Sequence, residues 1–289
     1  MNIQKLLKEF DLRPKKGLGQ NFLIDERVLK RIVAAAEVGT KDTVLEVGPG
    51  LGTLTRFLAE EARRVIAVEL DRSLVKVLAR TLNDCPNVEI VQGDILELNP
   101  ADLLGGGKDS PGACPSFLAP CPFYKVVANL PYYITSAVLR HLLEAEVKPG
   151  LMVVTVQREV AQRLVAGPGQ MSLLAVSVQF YGHPRVVARI PAGAFYPSPE
   201  VHSAVVRIDL HKRPVVEVDD LDRFFEVVRA GFAQKRKQLR NSLAGGLSLP
   251  TGEVVGALRR AGVDERRRAQ TLSIEEWGKV YREIETRGR

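Results

Sequence analysis

The sequence predicts an α/β protein: a doubly wound, mostly parallel sheet followed by a smaller all-helical C-terminal domain. Three observations carry that prediction. Apolar, β-rich runs alternate with helix-patterned stretches through the first two thirds of the chain, as βαβ units require. Those runs are apolar at nearly every position, which suits strands buried on both faces. Near Lys212–Pro214 the pattern changes to helices only, so the domains are placed at residues 1–212 and 213–289.

In chain order, a helix is expected to start near Asp25. Strands follow over Thr43–Val47, Val65–Glu69, Val88–Val91, Lys125–Asn129 and Met152–Gln157, with helices over Leu54–Glu61, Ser73–Leu82 and Ser136–Glu144 among them. Leu174–Tyr181 and Ser203–Leu210 are two more strand-like runs. A stretch containing Pro184, Pro191, Pro197 and Pro199 joins them instead of a long helix, which predicts an antiparallel excursion at one sheet edge. Gly105–Pro122, rich in Gly, Pro and Ser, reads as a surface loop inserted before the fourth strand. In the second domain Asp219 or Asp220 can cap a helix running from about Leu221 to Leu243, closed by Gly245-Gly246. Gly252–Gly262 and Ile274–Glu285 are further helices.

Composition narrows the class. With 289 residues, 45% apolar and 26% charged, the chain can bury a sizeable core. It has no uninterrupted apolar run of about eighteen residues. The segment Met1–Phe10 is amphipathic, without the apolar centre of an export signal. A cytoplasmic protein with no membrane partner is the expectation. Cys85, Cys114 and Cys121 are odd in number and lack CxxC spacing, and His141, His183, His202 and His211 show no ligand spacing; no metal is assigned. A net charge of +7 is compatible with a polyanionic partner without requiring one.

The first strand runs into Gly48-Pro49-Gly50-Leu51-Gly52 and then a helix. Glycines permit positive φ and close approach of the backbone to a ligand. The GxGxG spacing is not the GxGxxG of pyrophosphate sites, and Pro49 removes an amide that would hold a pyrophosphate. Glu69 ends the next strand, 17 residues after Gly52, where a carboxylate can accept from ribose hydroxyls. Asp94 ends the third strand and could accept from an adenine amine. Either acid alone reads better as a solvated strand end. The ordered series at three successive strand ends points instead to a nucleoside-type cofactor.

Asn129-Leu130-Pro131-Tyr132 follows the fourth strand. An adenine N6 lone pair is delocalised into the ring, so a methylating site must accept the two amine hydrogens in directions that draw nitrogen towards tetrahedral geometry. The Asn129 side-chain oxygen and the Leu130 carbonyl can do this. Pro131 biases Leu130 towards an extended conformation, and Tyr132 offers a face for stacking. Attack on a sulfonium methyl then needs mainly positioning and electrostatics, and the base must leave any helical stack.

Together these residues resemble the ribosomal RNA adenine N6,N6-dimethyltransferase family, which contains the bacterial small-subunit dimethyladenosine transferase known for kasugamycin sensitivity. The resemblance spans Lys15 to about Ile284. It implies a Rossmann-like class I methyltransferase sheet and S-adenosylmethionine as cofactor, held by Asn21 and Leu23 of Gly19-Gln20-Asn21-Phe22-Leu23 together with Gly48, Gly50, Glu69, Asp94 and Asn129. Phe195-Tyr196-Pro197-Ser198-Pro199, with Val201 and Ser203, resembles the family's FxPxPxVxS stretch. It implies that Phe195 packs on the target adenine opposite Tyr132 or near the cationic methyl, whereas its residues alone suggest core packing. Phe232–Leu243 resembles the family's basic helix, and Arg266 with Thr271-Leu272-Ser273 its closing segment. Helical projection sets Arg229, Arg236 and Arg240 as a stripe bordering an apolar face, and with Lys235 and Lys237 these are the expected RNA contacts.

The implied reaction is transfer of two methyl groups to each of two adjacent adenines near the 3′ end of small-subunit ribosomal RNA. The implied partners are that RNA and the precursor small subunit, with the enzyme as a monomer. Three other readings share parts of the pattern: a macrolide-resistance methyltransferase of large-subunit RNA, a DNA-adenine or protein-amide methyltransferase, and a non-catalytic assembly factor on a methyltransferase fold. The segments 232–243 and 271–273 favour the small-subunit enzyme. Leu130 in place of a first proline disfavours the DNA and protein enzymes.

Overall fold

The structure is a computed structural model describing residues 3–105 and 124–286. The expected loop Gly105–Pro122, with Cys114 and Cys121, lies outside the described residues apart from Gly105 itself. The chain divides into two compact units, one of residues 1–161 and 185–210, the other of residues 162–184 and 211–289.

Helices and strands alternate as follows: α1 (Ile3–Glu9), β1 (Phe22–Leu23), α2 (Glu26–Ala36), β2 (Thr43–Val47), α3 (Thr53–Glu61), β3 (Arg64–Glu69), α4 (Arg72–Thr81), β4 (Val88–Gln92), α5 (Pro100–Gly105), β5 (Tyr124–Asn129), α6 (Thr135–Glu144), β6 (Leu151–Gln157), α7 (Arg158–Leu164), α8 (Leu173–Tyr181), β7 (Gly182–Ile190), β8 (Phe195–Tyr196) and β9 (Ser203–Leu210). Helix starts follow local chemistry. Asp25 accepts from the Arg27 and Val28 amides to cap α2, and Asp71 accepts from Ser73 to cap α4. The α2 positions Val28, Leu29, Ile32, Val33 and Ala36 fall on one buried face.

The main sheet has the order β4-β3-β2-β5-β6-β9-β7. Strands β4 to β6 in that order are parallel, and β9 runs antiparallel to β6 from Ser203 opposite Gln157 to Asp209 opposite Leu151. Every residue of β2 is buried, whereas β4, at the edge, is only half covered. The chain enters at β2, moves outward through β3 to β4, and returns to β5 on the other side of β2. Ligands of open α/β sheets sit where strand order reverses in this way, beyond the carboxyl ends of the strands.

Two expectations are corrected. Leu174–Tyr181 is not a strand but α8: Ser172 caps it through the Ala175 amide, and its apolar residues serve a buried helix. An apolar run of eight residues does not by itself distinguish the two. The strand beside β9 is instead β7, at the sheet edge, where Pro184 is tolerated. The segment 162–184 belongs to the second unit. There Phe180 packs 5.1 Å from Phe224 between ring centroids, and 5.5 Å from Phe225.

The second correction concerns the long helix expected over Leu221–Leu243. The chain forms α9 (Leu221–Phe232), a turn through residues 233–238, and α10 (Leu239–Leu247), followed by α11 (Thr251–Arg260) and α12 (Ile274–Glu285). Phe232 and Leu239 are seven residues apart, so helical projection cannot see the break. Tertiary partners stabilise it, since the Leu239 and Arg240 amides donate to the Arg267 and Glu265 carbonyls. Gly246 does not close a helix: it lies within α10, where a Cβ would come 2.6 Å from Cβ of Ala230. It allows α9 and α10 to touch. Asp220 caps α9, and Ser273 with Glu276 forms a capping box on α12.

Candidate active site

The carboxyl ends of β2, β3, β4 and β5 border one cavity, which encloses about 940 Å³ of non-atom space, open solvent included. The structure brings Asn21, Leu23, Gly48, Gly50, Glu69, Asp94, Asn129, Leu130, Pro131 and Tyr132 to its lining. Gly48 and Gly50 adopt positive φ of 67° and 62°. A Cβ on Gly50 would stand 2.9 Å from a ring carbon of Phe22, so the loop and the N-terminal segment pack as closely as glycine permits.

Glu69 is buried, and its two oxygens accept from the Gly50 amide at 3.1 Å and the Asp71 amide at 2.9 Å. Each carboxylate oxygen keeps a further acceptor position for a ligand hydroxyl. Burial raises its carboxyl above the ordinary range, against the amides of Asp71 and Gly50. Asp94 accepts from the Leu96 amide through one oxygen at 2.9 Å.

Asn129 is the most informative residue. Its Nδ2 donates to the Asn21 backbone carbonyl at 3.1 Å, while its Oδ1 is buried without a hydrogen-bond partner. Only an N–H can meet a carbonyl, so the contact with Asn21 fixes which end of the amide faces the cavity. Buried polar atoms are nearly always paired, and an orphan of this kind is a waiting acceptor. Pro131 has φ −58° and ψ 129°. The Tyr132 hydroxyl shares a 2.6 Å hydrogen bond with Ser203 Oγ, and burial pushes its pKa up.

Phe195 is not among the residues brought to the lining. It pairs with Leu23 across β1 and β8 and is buried in the core with Val127 and Val205, away from the cavity lining. An apolar ring between two strands gains more by joining that core than by facing the opening. The expected arginine stripe is also absent as a single helix face. Arg229 sits exposed on α9, Lys235, Arg236 and Lys237 are exposed in the turn, and Arg240 lies half-buried in the first turn of α10.

A family model described as ribosomal RNA adenine dimethylase matches residues 12–286. The chain belongs to that family. It is 50% identical over 275 residues to the ribosomal RNA small subunit methyltransferase A of Dehalococcoides mccartyi strain 195, covering 95% of this chain and 89% of that one. To the Moorella thermoacetica protein of the same name it is 45% identical over 286 residues, 97% and 96% of the two chains. Among solved structures, the 23S rRNA methyltransferase ErmE superposes with a TM-score of 0.69 at 30% identity, covering 92% of this chain and all of that one. A Plasmodium falciparum dimethyladenosine transferase shares the fold, with a TM-score of 0.75 at 22% identity over 92% of this chain and 98% of that one.

As a member of this family the chain is an S-adenosylmethionine-dependent ribosomal RNA adenine dimethyltransferase. The cavity fits that cofactor: glycines where a backbone must approach a ligand, a buried carboxylate with spare acceptor positions at one strand end, and an orphaned acceptor two strands away.

Sequence reading missed four residues. Glu46 lines the cavity from the middle of β2 and is 1% exposed. Burial pushes its carboxyl up to about 8, Thr55 opposes this and the Glu69 charge adds to it. Glu46 Oε2 and Thr55 Oγ1 both lack a partner at hydrogen-bonding geometry, so the hydroxyl acts on the acid by proximity. A charged residue inside Thr43–Val47 was the available signal. Tyr133, 57% exposed at the cavity lining, had none beyond its neighbour Tyr132. Gln20 and Asp71 meet from 51 positions apart, which no local pattern reports.

Proposed function

We propose that this enzyme methylates the N6 amines of two adjacent adenines near the 3′ end of small-subunit ribosomal RNA, giving N6,N6-dimethyladenosines. The observation that carries the reading is Asn129, with its amide nitrogen tethered and its oxygen buried and unpartnered at the end of β5. The names of the relatives at 45–50% identity support the small subunit as substrate. In this reading the enzyme works as a monomer in the cytoplasm, on the precursor small subunit.

Asn21, Leu23, Gly48, Gly50, Glu69, Asp94 and Asn129 hold the cofactor. Glu69 takes the ribose hydroxyls, and Asp94 takes the adenine amine of the cofactor. Bound S-adenosylmethionine supplies an electrophilic methyl group on a sulfonium. Asn129 Oδ1 and the Leu130 carbonyl accept the two hydrogens of the target amine, which frees the nitrogen lone pair for in-line attack. Tyr132 stacks on the target base, its ring held by the hydroxyl contact with Ser203. No strong base is needed before transfer; the proton leaves once nitrogen carries the new bond. Arg229, Lys235, Arg236, Lys237 and Arg240 bind phosphates. They are largely exposed, and none has a salt-bridge partner among the described residues.

A second reading, methylation of large-subunit RNA, is favoured by the likeness to ErmE. The test is transfer of labelled methyl groups to small subunits lacking the modification, beside large subunits and duplex DNA, with nucleosides identified by mass. Dimethyladenosine from small subunits alone, lost in Asn129→Ala, is the expected result. Label on large subunits alone would replace this reading with the second.

A further inference from the structure

Asn129 works as an acceptor only in one of its two amide orientations. Rotation about χ2 of asparagine is soft, and a flipped amide would present hydrogens to the hydrogens of the target amine. What sets the orientation is the Asn21 carbonyl. Asn21 belongs to no helix or long strand, so the question becomes what holds Asn21.

The strap from Lys15 to Leu23 is anchored at both ends. On the far side of Asn21, β1 pairs with β8, Phe22 opposite Tyr196 and Leu23 opposite Phe195. On the near side the anchor is made by side chains. Gln20 Nε2 donates to Asp71 Oδ2 at 3.0 Å, and Gln20 Oε1 accepts from the Lys15 amide at 2.7 Å. Lys15 Nζ reaches the same Asp71 oxygen at 2.9 Å. The other Asp71 oxygen caps α4 through the Ser73 amide, and the Asp71 amide donates to Glu69. Burial raises the Asp71 carboxyl, but Lys15, the Ser73 amide and Gln20 together hold it below its usual range.

We infer that Gln20 and Asp71 are positioning residues for Asn129: their hydrogen bond anchors the strap so that the Asn21 carbonyl turns the Asn129 amide oxygen into the cavity. The Lys15 ammonium is half exposed and contributes less, as exposed ion pairs do. The Gln20 contact with the same Asp71 oxygen is the more shielded one, because Gln20 is half-buried. Asp71 thereby links the strap to Glu69, so two distant parts of the cavity lining share one residue.

The inference rests on the proposed role of Asn129 as acceptor, and the test separates the two. Gln20→Glu sets two carboxylates against each other. Asp71→Asn keeps an oxygen for the α4 cap and supplies an N–H donor, so the double variant restores the pair with donor and acceptor exchanged. Each protein is compared for kcat at saturating cofactor and RNA, KM for RNA, melting temperature, and the side-chain amide resonances of Asn129 in the cofactor-free state. Gln20→Glu is expected to lower kcat about tenfold or more with KM changed less than about threefold, and the double variant to recover most of the loss, the signature of a coupled pair. The Asn129 resonances should move in the single variant and return in the double. Unmoved resonances, an unchanged kcat in Gln20→Glu, or a double variant no better than the worse single would overturn the latch. A wild-type protein that transfers no methyl group would instead fail the reading of Asn129, because the resonances report the latch without any transfer.

Discussion

The two walls of the cavity are held by different forces. One wall is a row of strand ends, Gly48–Gly50, Glu69, Asp94 and Asn129, fixed by the parallel hydrogen-bond ladder of β2 to β5. The other is the strap Gly19–Leu23, fixed by two residue pairs of β1 with β8 and by the side chains of Lys15, Gln20 and Asp71. The difference teaches where a substitution acts. A change on the strand-end wall removes a group from a rigid site. A change on the strap leaves the groups in place and loosens how they are aimed.

Asn129→Ala should have the largest effect, because it removes an acceptor from the rigid wall. A fall in kcat of about 10²–10³ is expected, the scale of losing one preorganised hydrogen-bonding group. Stability should fall by only about 1 kcal/mol, since the deleted oxygen has no partner in the folded state and the lost group is the single Nδ2 donation to the Asn21 carbonyl. A melting temperature that collapses with activity would mean that the residue holds the two walls together and does not serve the substrate.

Gly50→Ala tests where the walls meet. Its φ of 62° disfavours a side chain by about 1–2 kcal/mol, and the new methyl would press on Phe22 of the strap. Urea denaturation should show a loss of about 1–3 kcal/mol. The steric part, but not the backbone part, should vanish in Phe22→Ala, so a double-mutant cycle should be non-additive. Additive effects would show that loop and strap are independent there.

Much of the strand-end wall was legible in the sequence, and most of the strap was not. Buried parallel strands are continuous apolar runs, so their ends, and the residues at those ends, can be counted off. Glu69, Asp94 and Asn129 were found in that way. The strap has no period. Asn21 and Leu23 came only from a family resemblance, and the contact of Gln20 with Asp71 depends on the folded sheet bringing distant segments together. Elsewhere, α8 was misread because an apolar octet fits a buried strand or a buried helix. The 233–238 turn was misread because its interruption preserves a seven-residue spacing. Phe195 is the converse case: its residue type and proline-rich setting suggested the core, where the structure places it, and the resemblance alone drew it into the site.

Glu69→Gln sharpens the comparison from within the rigid wall. Both Glu69 oxygens accept amide hydrogens, so an amide nitrogen in either place faces a donor and leaves a buried N–H unpaired. The expected cost is about 1–3 kcal/mol, and cofactor affinity, read by calorimetry, should weaken by about tenfold or more for the same energy. An unchanged affinity would remove Glu69 from the cofactor site.

The effect that leaves the site chemistry least disturbed should come from Glu46, the other buried carboxyl of that wall, and it shows only as a pH dependence. Unlike Glu69 it has no backbone amide on its oxygens, and its pKa stands near 8 against 4.5 for an ordinary glutamate. Between those values the folded chain keeps a proton that the unfolded chain has released. Stability therefore falls as pH rises through this window, by at most about 1.4 kcal/mol per pH unit from this group. Below about pH 4.5 both states are protonated, and the contribution is complete. Glu46→Gln replaces the neutral acid with a neutral amide, so the melting temperature of the cofactor-free protein should decline less between pH 5 and 8 than that of the wild type (roughly the interval between the two pKa values). Parallel pH profiles would mean that Glu46 is ionised in the fold and finds a partner as Glu69 does, which would erase the difference between the two acids.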